Sequence, residues 1–247
     1  MIEFLGEVGD WLGDPANWSG RDGVPNRMWE HVSISVVSIL VACVVALPAA
    51  VILGHIRRGG FLAVTAVNIG RAIPSFGLVA LAYSVTVGLG ILLSPIGYWP
   101  TLIALVALAM PPMFVNAYTG VREVDPALVE TARGMGMTEG EVLTGVELPV
   151  ALPVLMAGVR TASVQVVATA ALGAVVGFGG FGRYIIDGLL QRNDAEVFVG
   201  GVFVAALAVL TELGLGWVER RTDPTHRVRK VGPVDDRELA AETALPV

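Results

Sequence analysis

From Ala72 to Val121 the chain runs fifty residues without one charged side chain. Crossing the hydrocarbon core of a bilayer takes about 20 apolar residues as helix, so this stretch alone has room for two crossings. Soluble domains carry about a quarter of their residues as charges; here the share is 15%, with 54% hydrophobic and a mean hydropathy of +0.71. The apolar runs are continuous and do not alternate, which argues against a transmembrane barrel, whose strands alternate lipid-facing and lumen-facing side chains. The fold class that follows is an all-α integral membrane protein, a multi-span helical bundle.

The spans can be placed by length and punctuation. Residues 32–53 form the first, about 33 Å of helix, and Arg57 and Arg58 stop it. The apolar block 61–93 is too long for one upright helix, and Arg71 and Pro74 interrupt it. That pattern predicts a short interfacial or re-entrant helix over 60–70 and a second span over 73–93. Tyr98 and Trp99 then mark an interface, and the third span covers 101–119, bent by Pro111 and Pro112. The fourth runs over 150–176 and the fifth over 197–218. Five core spans result, six if 61–70 also crosses. The lone Cys43 falls inside the first span, where it packs as a small apolar residue.

Residues 1–30 hold six acids against two arginines and three tryptophans. A secretory signal peptide needs a basic start, so this is read as a tail near the membrane surface. With five spans and the N-terminus outside, ten basic residues fall on the inside and four on the outside. Basic residues collect in the cytosol, so the expected topology is N-out/C-in. The expected parts are an extracytoplasmic tail (1–30), a membrane domain (31–218) with a cytosolic segment over 121–147, and a poorly ordered cytosolic tail (219–247). The formal charge of −6 comes mostly from ends and loops. No basic stripe with interleaved aromatics points to nucleic acid.

The polar segment carries its own stop and start signals. Asp125 before Pro126 is an N-cap followed by proline at the first helical position. Leu128, Thr131, Ala132 and Met135 fall on one helical face, and Gly134 and Gly136 end the helix. Thr138 with Glu141 three residues on is a capping box, predicting a second short helix before Leu148 and Pro149 re-enter the membrane. Such a pair of helices is either a loop packed on the bundle or a docking element for a cytosolic partner.

Glu130-Thr131-Ala132, three residues, Gly136, nine residues, Val146-Glu147-Leu148-Pro149 resembles the E-A-A, G, I-x-L-P signature of permease subunits of binding-protein-dependent ABC importers. Thr131 and Val146 depart from it, both mildly. The resemblance implies a bundle of the methionine-importer-like type over about residues 30–217. It also implies that this segment is the coupling helix docking on an ATPase subunit, through Glu130, Thr131, Ala132, Gly136, Val146, Leu148 and Pro149. The stretches Asn68–Leu81, Met110–Met137 and Leu148–Leu189 further resemble the glycine betaine/carnitine/choline (osmoprotectant) branch. The partners implied are cytosolic ABC ATPases carrying ATP and Mg, a second identical or similar permease, an extracytoplasmic solute-binding protein and a small quaternary-ammonium solute. The chain itself holds no cofactor or metal motif. It lacks a Walker A loop, so it is not expected to hydrolyse ATP. The expected location is a bacterial-type cell membrane.

Other features admit two readings each. "GFGGFG" over Gly177–Gly182 satisfies G-x-G-x-x-G but lacks the preceding strand a dinucleotide site needs. Phe178, Gly179 and Gly180 are therefore placed at an outer mouth, as a flexible or a close-packing turn. Arg160, inside the fourth span, must be paired or functional, with Glu212 the candidate partner. Asn68, Arg71, Ser75, Asn116 and Arg160 are candidates to line the path. The alternative functions are an amino-acid importer of the same design, such as one for methionine, and a stand-alone carrier or channel. The latter would need midplane acids, for which Glu212 and Asp187 are the candidates.

Overall fold

The computed structural model describes residues 2–57, 64–65, 67–69, 73–90 and 97–222. Arg58, Arg71, the expected tail beyond Thr222 and most of the 60–70 block lie outside them. Every described element is helical: α1 (Ile2–Gly13), α2 (Val24–Ile56), α3 (Ser75–Gly88), α4 (Tyr98–Arg122), α5 (Pro126–Gly134), α6 (Glu139–Val142), α7 (Leu148–Thr169), α8 (Gly182–Gln191) and α9 (Asp194–Thr222). A π-turn, Leu143–Glu147, joins α6 to α7, and a 3₁₀ stretch, Ala170–Val176, extends α7.

Among the described residues, four helices are long and apolar enough to cross a membrane; α3, at 14 residues, is shorter. α4 is the most enclosed of them, packed between α2 and α7. Its Leu105, Ala109, Met113, Ala117 and Val121 meet Ala42, Ala46 and Ala50 of α2 and Ala151, Leu155 and Ala162 of α7. The alanines of α2 recur every fourth residue, and Gly54 continues the row. Lipid tails give helices no hydrophobic reason to associate, so small residues that let backbones approach carry the packing. A Cβ at Gly54 would stand 3.0 Å from Tyr118 O, and one at Gly158 2.7 Å from the Asn116 Cβ. Cys43 fills a gap in the same layer, its sulfur 3.8 Å from that of Met113.

The structure refines three expectations. The first span begins at Val24, eight residues early, because Gly23 and Pro25 start the helix there. The N-terminal tail is folded, not merely near a surface: Trp11 of α1 packs edge-on to Tyr184 of α8 and beside Phe203 of α9. Leu148–Pro149 enters the fourth span within a helix that runs from Glu139 to Val176. The reason is local. Pro149 has no N–H and its ring crowds the carbonyl four residues back, and the turn ahead of it widens so that Leu148 N–H reaches Leu143 O.

The bundle has two distinct ends. Glu30, Gly97 and Gly177–Gly180 meet at one: a Cβ on Gly97 would stand 2.4 Å from Phe178 N, and Gly180 N–H donates to Glu30. His55, Val124, Glu139 and Glu147 meet at the other. α3 runs toward the first end, where Tyr83 and Ser84 share a cavity with Val175 and Val176.

Candidate functional site

At the His55 end the caps form as their residues require. The Asp125 carboxylate accepts from Ala127 N–H at 2.9 Å. Thr138 N–H donates to Glu141 at 2.8 Å, and Thr138 Oγ accepts from Glu141 N–H at 3.4 Å, completing a capping box. Between them Gly136 turns the chain at φ +87°. Val124, Val129, Ala132 and Val142, with Met137 and Val146, close a small core beneath the segment. The helical face expected for α5 is therefore turned. Val129 and Ala132 pack inward, while Leu128 (45% exposed) and Met135 (72%) point outward with Thr131 and Glu130. The bundle supplies the partner for one flank only and leaves the rest of the stripe free.

The signature residues thus divide by role. Ala132, Val146 and Leu148 pack and hold the segment on the bundle. Glu130, Thr131, Gly136 and Pro149 lie on its outer surface, where Thr131 Oγ is satisfied by Ala127 O at 2.7 Å. Arg133 closes the outer side by a two-pronged pair with Glu139, at 2.9 and 2.8 Å. That bond holds the guanidinium, already a strong base, more firmly protonated.

Sequence reasoning missed His55. It sits in the last turn of α2, with Nδ1 2.5 Å from Glu147 Oε2 and Nε2 3.3 Å from Glu139 Oε2. Two residues on, Arg57 Nη2 donates to Val124 O at 3.0 Å. The available signal was a single acid, Glu147, standing in "TGVELPV" between apolar neighbours at the mouth of a span, with a histidine at the matching end of another.

At the opposite end the Gly-rich turn is packed, not loose. Glu30 of α2 accepts from Gly180 N–H at 2.8 Å and from Arg27 at 2.8 Å. A Cβ at Gly179 would fall 2.0 Å from Glu30 Oε2, so the close approach needs glycine there. His31 Nε2 lies 2.8 Å from Val167 O. Beside the turn opens a cavity of about 600 Å³, lined among others by Trp29, Glu30, Tyr98, Phe178, Gly179 and Arg183. Tyr98 and Phe178 stand 6.1 Å apart across it.

Among the described residues, the expected path residues Asn68, Ser75, Asn116 and Arg160 have no hydrogen bond or ion pair with one another. Asn116 donates its amide to Pro112 O at 2.8 Å within its own helix. Arg160 pairs with Glu212 at 3.3 Å and with Glu219 at 3.2 Å, tying α7 to α9. Asn68 is exposed on a short helical piece, and Ser75 is half-buried at the start of α3. Arg71 is outside the described residues. Among the described residues no cluster of His, Cys, Asp and Glu could hold a metal ion.

Comparison with known proteins agrees with this layout. Residues 2–224 match the family described as "Binding-protein-dependent transport system inner membrane component". The carnitine transport permease protein OpuCD of Listeria monocytogenes serotype 1/2a (strain 10403S) is 33% identical over 208 residues, 84% of this chain and 90% of the relative. The glycine betaine/carnitine/choline transport system permease protein OpuCD of Bacillus subtilis (strain 168) is 33% identical over 243 residues, 97% of this chain and 100% of the relative. Among solved structures, an inward-facing MetNI methionine ABC transporter superposes with a TM-score of 0.68 at 25% identity, covering 78% of this chain and 93% of that one.

Proposed function

This chain belongs to the family of binding-protein-dependent transport system inner membrane components, and from that premise we propose that it is the membrane-spanning permease of an ABC importer for osmoprotectants of the glycine betaine, carnitine or choline type. Its relatives are named for those solutes. The observation that carries the mechanism is the segment from Val124 to Glu147: capped at both starts, seated on its own small core, and presenting Leu128, Thr131 and Met135 away from the bundle. That is the form of a docking element whose partner is missing. The excess of basic residues puts this end in the cytosol. There it would engage an ATPase subunit that supplies ATP and Mg, since this chain is a transport subunit without its own nucleotide site. The Glu30–Gly180 end would then face outside and receive solute from a binding protein. Two such chains, identical or similar, would enclose the path, and closure of the ATPases would rock the spans between outward and inward openings.

The carrier alternative loses its acids. Glu212 is paired with Arg160 and Asp187 with Arg183. The amino-acid alternative rests on likeness to solved structures such as the methionine transporter, not on the curated relatives named above. Vesicles holding the assembled complex distinguish the three. ATP-dependent uptake of labelled betaine, carnitine or choline is expected. Uptake of methionine alone would put the chain in the amino-acid class, and uptake by this chain without an ATPase would make it a carrier.

Gly136 gives the sharpest test of docking. Its φ of +87° disfavours any side chain, yet nothing lies within 4 Å of where a Cβ would go. Gly136→Val therefore strains only the exposed turn. Insertion and assembly into the membrane are expected to persist while uptake separates from ATP hydrolysis. Wild-type uptake per ATP in that variant would remove the docking role from this turn.

A further inference from the structure

The end of α2 grips both flanks of the docking segment. Arg57 holds Val124 O, ahead of α5, and His55 holds Glu139 and Glu147, behind it. We propose that His55 is a positioning residue, a strut that carries displacement of the docking segment directly into the first long helix. This rests on reading 124–147 as the ATPase-docking segment.

The contact chain is continuous. Arg133, in the last turn of α5, binds Glu139 with two hydrogen bonds. Glu139 meets Nε2 of His55, and Nδ1 of His55 meets Glu147. Each ring nitrogen of His55 faces a carboxylate oxygen, to which a ring N–H donates. Such charge-assisted contacts are about twice as strong as neutral ones. Among the described residues, the titratable or charged groups facing the ring are Glu139 and Glu147, with Arg133 behind Glu139.

Glu147 is what makes the link stiff. Its side chain is 1% exposed, and among the described residues its Oε1 has no hydrogen-bond partner. Separating a buried carboxylate from a partner leaves an uncompensated charge. The start of α7 and the end of α2 are thus obliged to move together. α2 in turn cannot slide freely on α4, because Gly54 sits against Tyr118 O and the Val121 side chain. Without His55, α2 would hold the segment only through Arg57 at Val124, ahead of α5, and the rest would rely on the chain connections to α4 and α7 and on the packing of Leu143 and Leu148. With it, α2 becomes a third line of transmission, and α2 is the helix whose far end carries Glu30 and the outer turn.

The test compares wild type with His55→Gln, Glu147→Gln and Glu139→Gln in the assembled complex, with its ATPase and binding protein, in liposomes. Assembly and ATP hydrolysis are measured beside uptake of labelled glycine betaine, carnitine and choline. The expected result is a fall in solute imported per ATP on the order of tenfold for His55→Gln and Glu147→Gln, with no further fall when the two are combined. Glu139→Gln, at an exposed position, is expected to lower the ratio by a smaller factor. Uptake and hydrolysis falling in parallel, or an unchanged ratio in all three, overturns the strut. A wild-type complex in which ATP drives no uptake overturns the docking reading and this one with it; wild-type import with unchanged ratios in the variants overturns this one alone.

Discussion

Gly179 shows how little room the outer turn has. A methyl group there would occupy the space of the Glu30 carboxylate, 2.0 Å from Oε2. That carboxylate also serves Gly180 N–H and Arg27. Gly179→Ala should therefore break the Gly180 contact and destabilise the fold by about 1–3 kcal/mol, the cost of unsatisfied buried polar groups. Thermal unfolding in detergent reads this, with Gly201→Ala as control. Nothing lies within 4 Å of a Cβ at Gly201, and alanine favours helix over glycine by about 1 kcal/mol, so the control should be neutral or stabilising. Tyr184 offers a pH test at the same end. Its hydroxyl donates to Asp22 O at 2.7 Å, and burial pushes the phenol up from 10.0 to about 12. The folded state thus favours the protonated phenol. Its contribution is full below pH about 10 and is lost as pH rises toward about 12. Tyr184→Phe should flatten that alkaline loss in unfolding midpoints taken across the window; an unchanged slope would assign the loss to other groups.

Local chemistry made some elements legible in the sequence and left others hidden. The caps at Asp125 and Thr138 were readable because each is completed within three residues. Asp125→Ala should cost about 1 kcal/mol and speed amide exchange at the start of α5, leaving α4 protected. The Arg160–Glu212 pair was readable because a charge inside a span must find a partner, and the fifth span offers that one acid. The inward side of α5 was not readable. Leu128, Ala132 and Met135 are equally apolar, and only the position of Val124 and Val142 beneath the helix decides which of them is covered. His55 was hidden for the same reason. Its partners lie 84 and 92 positions away, and no periodicity connects them. The π-turn before Pro149 was also hidden, because the proline announces a disturbed turn without saying whether the helix will break or widen. Pro149→Ala should let that turn tighten to α geometry and swing Glu147 away from His55. Uptake per ATP should then fall as it does for Glu147→Gln, while helix content by circular dichroism stays constant.

At the scale of the whole molecule, the two ends behave as one body because α2 reaches both. Its 33 residues span about 50 Å, more than a bilayer core, and it carries Glu30 at one end and His55 at the other. The small-residue row through Ala42, Ala46, Ala50 and Gly54 keeps it against α4 along the way. A rocking motion started at the docking segment would therefore arrive at the outer turn with little lost to bending. This arrangement requires the two ends to lie on opposite sides of the membrane, which the count of basic residues supports and labelling can decide. In a Cys43→Ala background, Ser19→Cys is expected to react with an impermeant maleimide on intact cells. Thr144→Cys, on the exposed side of the π-turn, should react only after the cells are opened. If instead both cysteines labelled on intact cells, the segment holding Thr144 would lie outside with Ser19. That outcome would remove the cytosolic docking site altogether, because no ATPase could reach it. Opposite labelling would leave α2 as the member that joins the ATP-driven side of the machine to the side where solute enters.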